Sequence, residues 1–354
     1  MKYILWIAVL YLSGYFYKIM AYQPLPTIVP ARNANPEADA KVLRGALAGM
    51  GTNIDTLVAV MSSRSNLQRI QAAHAYKANY RRDLLQHIKS DTNRKFEKMM
   101  VALLTPAAEY DAELVRESVK GLGTDLDTLF EVLFTRSPRQ IKMMGAAYNR
   151  KFKRNLIQDI KGDTSGKVED LLVEVAKGDR DESNRIDPLA AENVAKKLKS
   201  GGISKYFGTH ANELITILSK WNFNQLRMFF DQYQRVTKKT IEEDISKYSG
   251  GETQKALLNY VKCIKNPAVF LAERIHHAIK GLGTKDKDLI RIFATRTEVD
   301  MGTIKNEYYT KYNRHMEKDI RRDVSGKFQK ILVALLRGNL QPITNTDLNV
   351  VENE

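Results

Sequence analysis

Apolar residues recur every three or four positions through most of the chain, and glycine, proline and capping residues cut the recurrence into short blocks. The stretch 107–176 displays the pattern. Ala107 to Val119 carries apolar residues at helical spacing and stops at a glycine turn. Asp125 to Phe134 begins anew behind Thr124, which is placed to cap it. Ser137-Pro138 supplies a cap followed by proline at the first helical position, opening Arg139 to Asn149. Phe152 to Ile160 and Lys167 to Ala176 follow, separated by Gly162-Asp163-Thr164-Ser165-Gly166. Five short helices result. Alternating runs of β-branched residues are scarce, so no sheet is needed and the fold class is all-α.

The block is one of four. Lys120-Gly121-Leu122-Gly123-Thr124 returns as Lys280-Gly281-Leu282-Gly283-Thr284, and in altered form as Ala48-Gly49-Met50-Gly51-Thr52. Gly51, Gly123, Gly208 and Gly283 are spaced by 72, 85 and 75 residues. Thirteen residues past the glycine stand Arg64, Arg136, Trp221 and Arg296; forty past it stand Asp91, Asp163, Tyr248 and Asp323. The third copy therefore keeps the register but loses both the arginine and the acid. The expected boundaries are 37–105, 106–178, 179–266 and 267–338, with a tail at 339–354.

The N-terminus departs from this pattern. Lys2 precedes an apolar stretch from Tyr3 to Tyr17, too short for a bilayer span of about 20 residues. A basic start, an apolar core and a cut after Ala21 fit a secretory signal peptide over residues 1–21, against which Ile19 is larger than usual two places before such a cut. A membrane anchor and a merely apolar tail are the alternatives. Residues 22–36, with four prolines, read as an extended linker.

Charge adds a partner class. Lys and Arg number 56 against 41 Asp and Glu, a formal net charge of +15, which favours anionic partners without saying which. The runs at Arg81-Arg82, Arg150 to Arg154 and Lys196 to Lys199 have the form of solvated helix faces. One cysteine, Cys263 in an apolar run, excludes an intramolecular disulfide and a multi-cysteine zinc site.

The repeated turn brings chemistry. A helix ending at a Gly-x-Gly turn leaves carbonyl oxygens without intrahelical partners, and glycines let the backbone bend so that they converge. Calcium takes about 6–8 oxygens, and three carbonyls with a bidentate carboxylate supply five of them. The remaining positions suit water or a lipid phosphate oxygen. For a single copy, glycines and acids that merely cap helices explain as much; three copies with one 40-residue gap favour calcium. The spacing is unlike an EF-hand, whose ligands fall in one 12-residue loop.

The motifs resemble the annexin family over roughly residues 36–338. They are Lys120 to Thr124 with Gly162 to Lys167, Lys280 to Thr284 with Asp323-Val324-Ser325-Gly326-Lys327-Phe328, and the opening Asn35-Pro36-Glu37-Ala38-Asp39-Ala40. The resemblance implies four five-helix repeats in a slightly curved disc, with Ca2+ loops on the convex face touching anionic phospholipid. It implies carbonyl ligands at Val119, Gly121 and Gly123 with the carboxylate of Asp163; at Ile279, Gly281 and Gly283 with Asp323; and at Leu47, Gly49 and Gly51 with Asp91. The first set departs from the pattern at Ala48, Met50 and the glycine-free Asp91-Thr92-Asn93-Arg94. Annexins generally lack signal peptides, so residues 3–17 are a second departure, one that resembles secreted annexin-like effectors.

Repeat three is expected to bind no calcium in this way, since a phenol with a pKa near ~10 is a poor ligand, and using Glu252 would require a slip of four residues. Tyr206, Phe207 and Trp221 fit a core more readily than an interfacial cluster. No catalytic constellation emerges. The turn lacks the Gly-Lys-Ser/Thr ending of a P-loop, His276 and His277 are adjacent and point to different faces, and His74 lies among alanines. The expectation is a non-enzymatic, secreted protein, peripheral on anionic membranes when calcium is bound. It would be cytoplasmic if residues 1–21 are no signal peptide. Partner proteins are undetermined and nucleic acid is disfavoured. The rival reading is a calcium-independent basic scaffold for protein, glycosaminoglycan or nucleic acid, whose binding salt would weaken and chelators would not.

Overall fold

The computed structural model describes residues 24–48, 51–91, 94–121, 123–280 and 283–340, excluding the side chains of Ser90, Asp91 and Arg94. The expected signal peptide at 1–21, and all but the first two residues of the tail at 339–354, lie outside this range. Among the described residues every regular element is a helix. In repeat two these are Ala107–Ser118, Leu126–Thr135, Pro138–Phe152, Leu156–Asp163 and Gly166–Ala176. The second is apolar nearly all round and buries Leu129, Phe130, Val132, Leu133 and Phe134, so it forms the centre of its repeat. Ser137 caps the third through the Gln140 N–H at 3.2 Å, as its Ser-Pro signature implies. The third helix runs three residues past Asn149 to Phe152, and the fourth then begins at Leu156 behind its own cap, Asn155.

Two interactions recur in register. Each third helix ends on a left-handed non-glycine residue: Arg81, Lys153, Lys238 and Asn313, spaced by the same 72, 85 and 75 residues as the glycines. Each also sends a buried tyrosine to a residue eleven further on. Tyr148 donates to Asp159 at 2.5 Å, Tyr233 to Asp244 at 2.6 Å and Tyr308 to Asp319 at 2.7 Å, while in repeat one Tyr76 meets His87 at 2.6 Å. Asp159 also receives Arg154 and Arg116. The Arg154 hydrogen bond holds its carboxyl below the usual carboxylate range, while burial, aided by Asp159, pushes the Tyr148 phenol up to about 12.

Ala108–Phe270, carrying repeats two and three, form one compact unit. Repeat three adds a short helix, Ile203–Tyr206, between Pro188–Gly201 and Ala211–Lys220. Arg136 of repeat two forks onto buried Asp111 with two contacts of 2.8 Å. Repeat three has Trp221 in that position, and Arg180 supplies the guanidinium instead. It donates to the carbonyls of Trp221 and Leu218 at the end of the helix Ala211–Lys220 and to the Tyr260 hydroxyl, and lies 4.6 Å over the Phe223 ring.

The second unit comprises the described residues of 24–107 and 271–340, carrying repeats one and four. Here the proline-rich stretch is extended and docked on repeat four. Thr27 and Ile28 N–H groups share the Thr297 carbonyl, the Thr27 hydroxyl donates to Leu335 O at 2.8 Å, and Asn339 N–H donates to Thr27 O at 3.1 Å. Ile28 is fully buried. Gly338, at φ +66, admits this strap: a Cβ there would stand 1.7 Å from the Thr27 carbonyl oxygen.

Candidate functional site

The turn of repeat two starts where the helix Ala107–Ser118 runs out. Its closure is a backbone bond from Asp125 N–H to Ser118 O at 3.0 Å. Repeats one and four close identically, Asn53 to Ala46 and Lys285 to Ala278, both at 2.8 Å. Gly121 and Gly123 have φ +118 and +85, a region that side chains strongly disfavour. Among the described residues, no backbone N–H bonds to the carbonyls of Val119, Gly121 or Gly123. The turn thus leaves these acceptors open among the described residues.

The acid arrives from the break between the helices Leu156–Asp163 and Gly166–Ala176. The Thr124 hydroxyl lies 2.7 Å from Asp163 Oδ2 and 2.6 Å from the Asp163 carbonyl oxygen. The expectation that Thr124 caps the next helix is corrected here. Asp125 is the cap, accepting from Thr128 N–H at 3.0 Å, and this leaves Thr124 to hold the acid beside the turn. Sequence reasoning missed that role, although threonine follows the glycine in all four copies, as Thr52, Thr124, Thr209 and Thr284.

Repeat four is arranged differently. Thr284 donates to Asp286 at 2.6 Å, and Asp323 is engaged by Arg322 at 2.7 and 3.0 Å, a contact that holds its carboxyl below the usual range. Ile279 ends its helix and Gly283 keeps φ +86, while Gly281 lies outside the described residues. In repeat one Leu47 and Gly51 are described; Gly49 and the Asp91 side chain are not. Repeat three builds another object. Its turn closes from His210 N–H to Lys205 O at 2.8 Å, Tyr206 and Phe207 are buried, and Phe207 stacks on Tyr248 with centroids 6.3 Å apart. Trp221 is half-buried, edge-on to Phe229 at 6.1 Å. Glu252 is exposed and faces Lys255.

The other candidates resolve simply. His276 stacks on Tyr312 while His277 is exposed, and Cys263 is buried. The basic runs are largely paired within the chain: Arg150 with Glu109, Lys151 with Glu113, Lys196 with Glu192 and Lys197 with Glu213. Among the described residues, no cluster of three or more His, Cys, Asp or Glu could hold a metal by side chains alone. A cation here would rely on main-chain oxygen. The donor set at repeat two, all oxygen with one carboxylate, fits a hard cation such as calcium.

Four segments, residues 38–103, 110–175, 194–260 and 270–335, each match the annexin repeat. The chain belongs to the annexin family. It is 36% identical to annexin A4 of Sus scrofa over 88% of this chain and 98% of that one. Among solved annexins it superposes on annexin III with a TM-score of 0.85 at 35% identity, covering 88% of this chain and 97% of that one. A calcium-bound annexin, (Sm)1, gives 0.82 at 26% identity, covering 90% and 95%. The all-α, four-repeat annexin architecture expected from the sequence is therefore the one present.

Proposed function

We propose that this annexin binds anionic phospholipid membranes through calcium held at its glycine turns. The observation that carries the reading is the meeting of Asp163 with the turn it follows by 40 residues. In repeat two the carbonyls of Val119, Gly121 and Gly123 and the Asp163 carboxylate would hold the ion. Ile279, Gly281, Gly283 and Asp323 would form a second site, and Leu47, Gly49, Gly51 and Asp91 a third. Calcium would join these oxygens to a lipid phosphate. The calcium-bound state of the similar annexin (Sm)1 supports the choice of ion. Repeat three, with Tyr248 packed on Phe207, is read as calcium-free.

Among the described residues no helix is long and apolar enough to cross a membrane, so the attachment proposed is peripheral. The protein is read as non-enzymatic. Residues 1–21 are read as a signal peptide, so that the mass of the exported chain should correspond to a start at Tyr22.

Sedimentation with phosphatidylserine vesicles tests the reading. Calcium should pellet the protein, and Asp163→Ala/Asp323→Ala should raise the calcium needed by about tenfold or more, since calcium affinity follows ligand charge and each substitution removes the one charged ligand of its site. Equal pelleting in chelator, abolished by salt, would overturn it in favour of a basic scaffold.

A further inference from the structure

In three of the four repeats the helix after the glycine turn begins with a residue that meets a neighbouring repeat. Four positions past the second glycine stand Asp55, Asp127, Asn212 and Lys287. Asp55 pairs with Lys330 at 2.7 Å and Asp127 with Lys255 at 3.2 Å; Asn212 meets Lys167 at 3.4 Å. Lys330 and Lys255 occupy equivalent positions on the last helix of their repeats, and the repeat-one equivalent is Lys98. Lys98 and Lys287 line one cleft of about 540 Å³, within the unit of repeats one and four. Where two such contacts place opposite charges, this position places two ammonium groups.

A second substitution deepens the anomaly. Asn53 and Asp125 cap their helices through Thr56 and Thr128 N–H groups, whereas the equivalent residue in repeat four is Lys285, which makes no side-chain cap. A cation there also opposes the helix dipole. The cleft's acids are engaged, Asp286 with Lys95 and Asp288 with Arg291, both at 2.8 Å. Lys98, Lys285 and Lys287 are left exposed around the cleft. Proteins break such local rules at functional sites, and although His210 in repeat three also makes no side-chain cap, only the repeat-four position adds a cation to a basic cleft.

We propose that this cleft is a calcium-independent subsite for the phosphate monoester of a lipid headgroup. A monoester carries about −1.5 to −2 charges at pH 7, which suits a cleft lined by three exposed lysines better than a phosphodiester does. The cleft lies beside Gly283-Thr284, so the assignment to lipid rests on the membrane reading above. It would give this annexin a preference for phosphorylated inositol headgroups and a foothold on membranes before calcium rises.

The full chain is sedimented in chelator with phosphatidylcholine vesicles carrying phosphatidylinositol 4,5-bisphosphate, against vesicles matched in charge with phosphatidylserine. The wild type should favour the bisphosphate. Lys287→Asp, which restores the ion pair found at Asp55 and Asp127, should lose about tenfold of that affinity, and Lys287→Asn about half as much on a logarithmic scale. Unchanged retention of either variant, or no preference in the wild type, overturns the proposal. Binding of free inositol 1,4,5-trisphosphate without retention on vesicles overturns its assignment to lipid. Failure of the calcium reading shows separately, as calcium-independent binding of the wild type to the phosphatidylserine vesicles, and leaves the effect of Lys287→Asp readable.

Discussion

Replacing Gly338 with alanine places a methyl group where the N-terminal strap lies. The new Cβ would stand 1.7 Å from the Thr27 carbonyl oxygen and 2.4 Å from its carbon, so the strap must move. Moving Thr27 removes the Asn339 N–H to Thr27 O bond and the Thr27 hydroxyl to Leu335 O bond. Two such bonds are worth about 1 kcal/mol each. Position 338 also holds φ +66 with ψ −156, a glycine conformation that costs a residue with a side chain about 1–3 kcal/mol. The expected loss is about 3–5 kcal/mol in the unit of repeats one and four, read by urea denaturation followed by far-UV circular dichroism. A chain lacking residues 1–30 has no Thr27 to meet, and there the same substitution should cost only the backbone strain. A full-length loss under about 1 kcal/mol, or an equal loss in both chains, would refute the reasoning.

The remaining predictions concern acid stability and repeat three. Asp159→Asn should cost about 1–3 kcal/mol at neutral pH, since it weakens charge-assisted bonds from Arg154 and Arg116. Because Arg154 depresses the folded-state pKa of Asp159, its contribution is complete above the unfolded value near ~3.9 and disappears as pH falls through the lower folded value. The variant should therefore show a shallower loss of stability on acid titration, and an unchanged acid limb would show that Asp159 contributes little. Tyr248→Asp restores the acid of repeat three, yet it should add no calcium site in isothermal titration, because the turn there closes from His210 to Lys205. A gained site would mean that turn geometry matters less than the carboxylate.

Helix periods and repeat register were legible in the sequence because each repeat states them again, and an error in one copy is corrected by the next. The pairing of Asp163 with its turn was legible for the same reason: only a constant gap of 40 residues pointed to it. The cap was misread because Thr124 and Asp125 are adjacent and both eligible; only the position of Asp163 decides which one turns away. The extra helix Ile203–Tyr206 has no counterpart in the other repeats from which it could be inferred. The docking of the strap was illegible, since Thr27 meets Thr297 and Leu335 across more than 250 residues and no local pattern encodes such a distance.

The guanidinium of Arg180 bears on how such a chain can change over generations. Repeated proteins grow and shrink by copying or deleting whole units, which succeeds when each unit carries its own parts. Repeat three does so only through the segment ahead of its first helix, Pro188–Gly201, where Arg180 holds its helix-end carbonyls and the Tyr260 hydroxyl. A duplication beginning at Pro188 would produce a copy with an unfilled socket, while Arg136 would travel with its partner Asp111 in any copy of repeat two. The two repeats differ, then, in how far ahead of the first helix a working copy must begin.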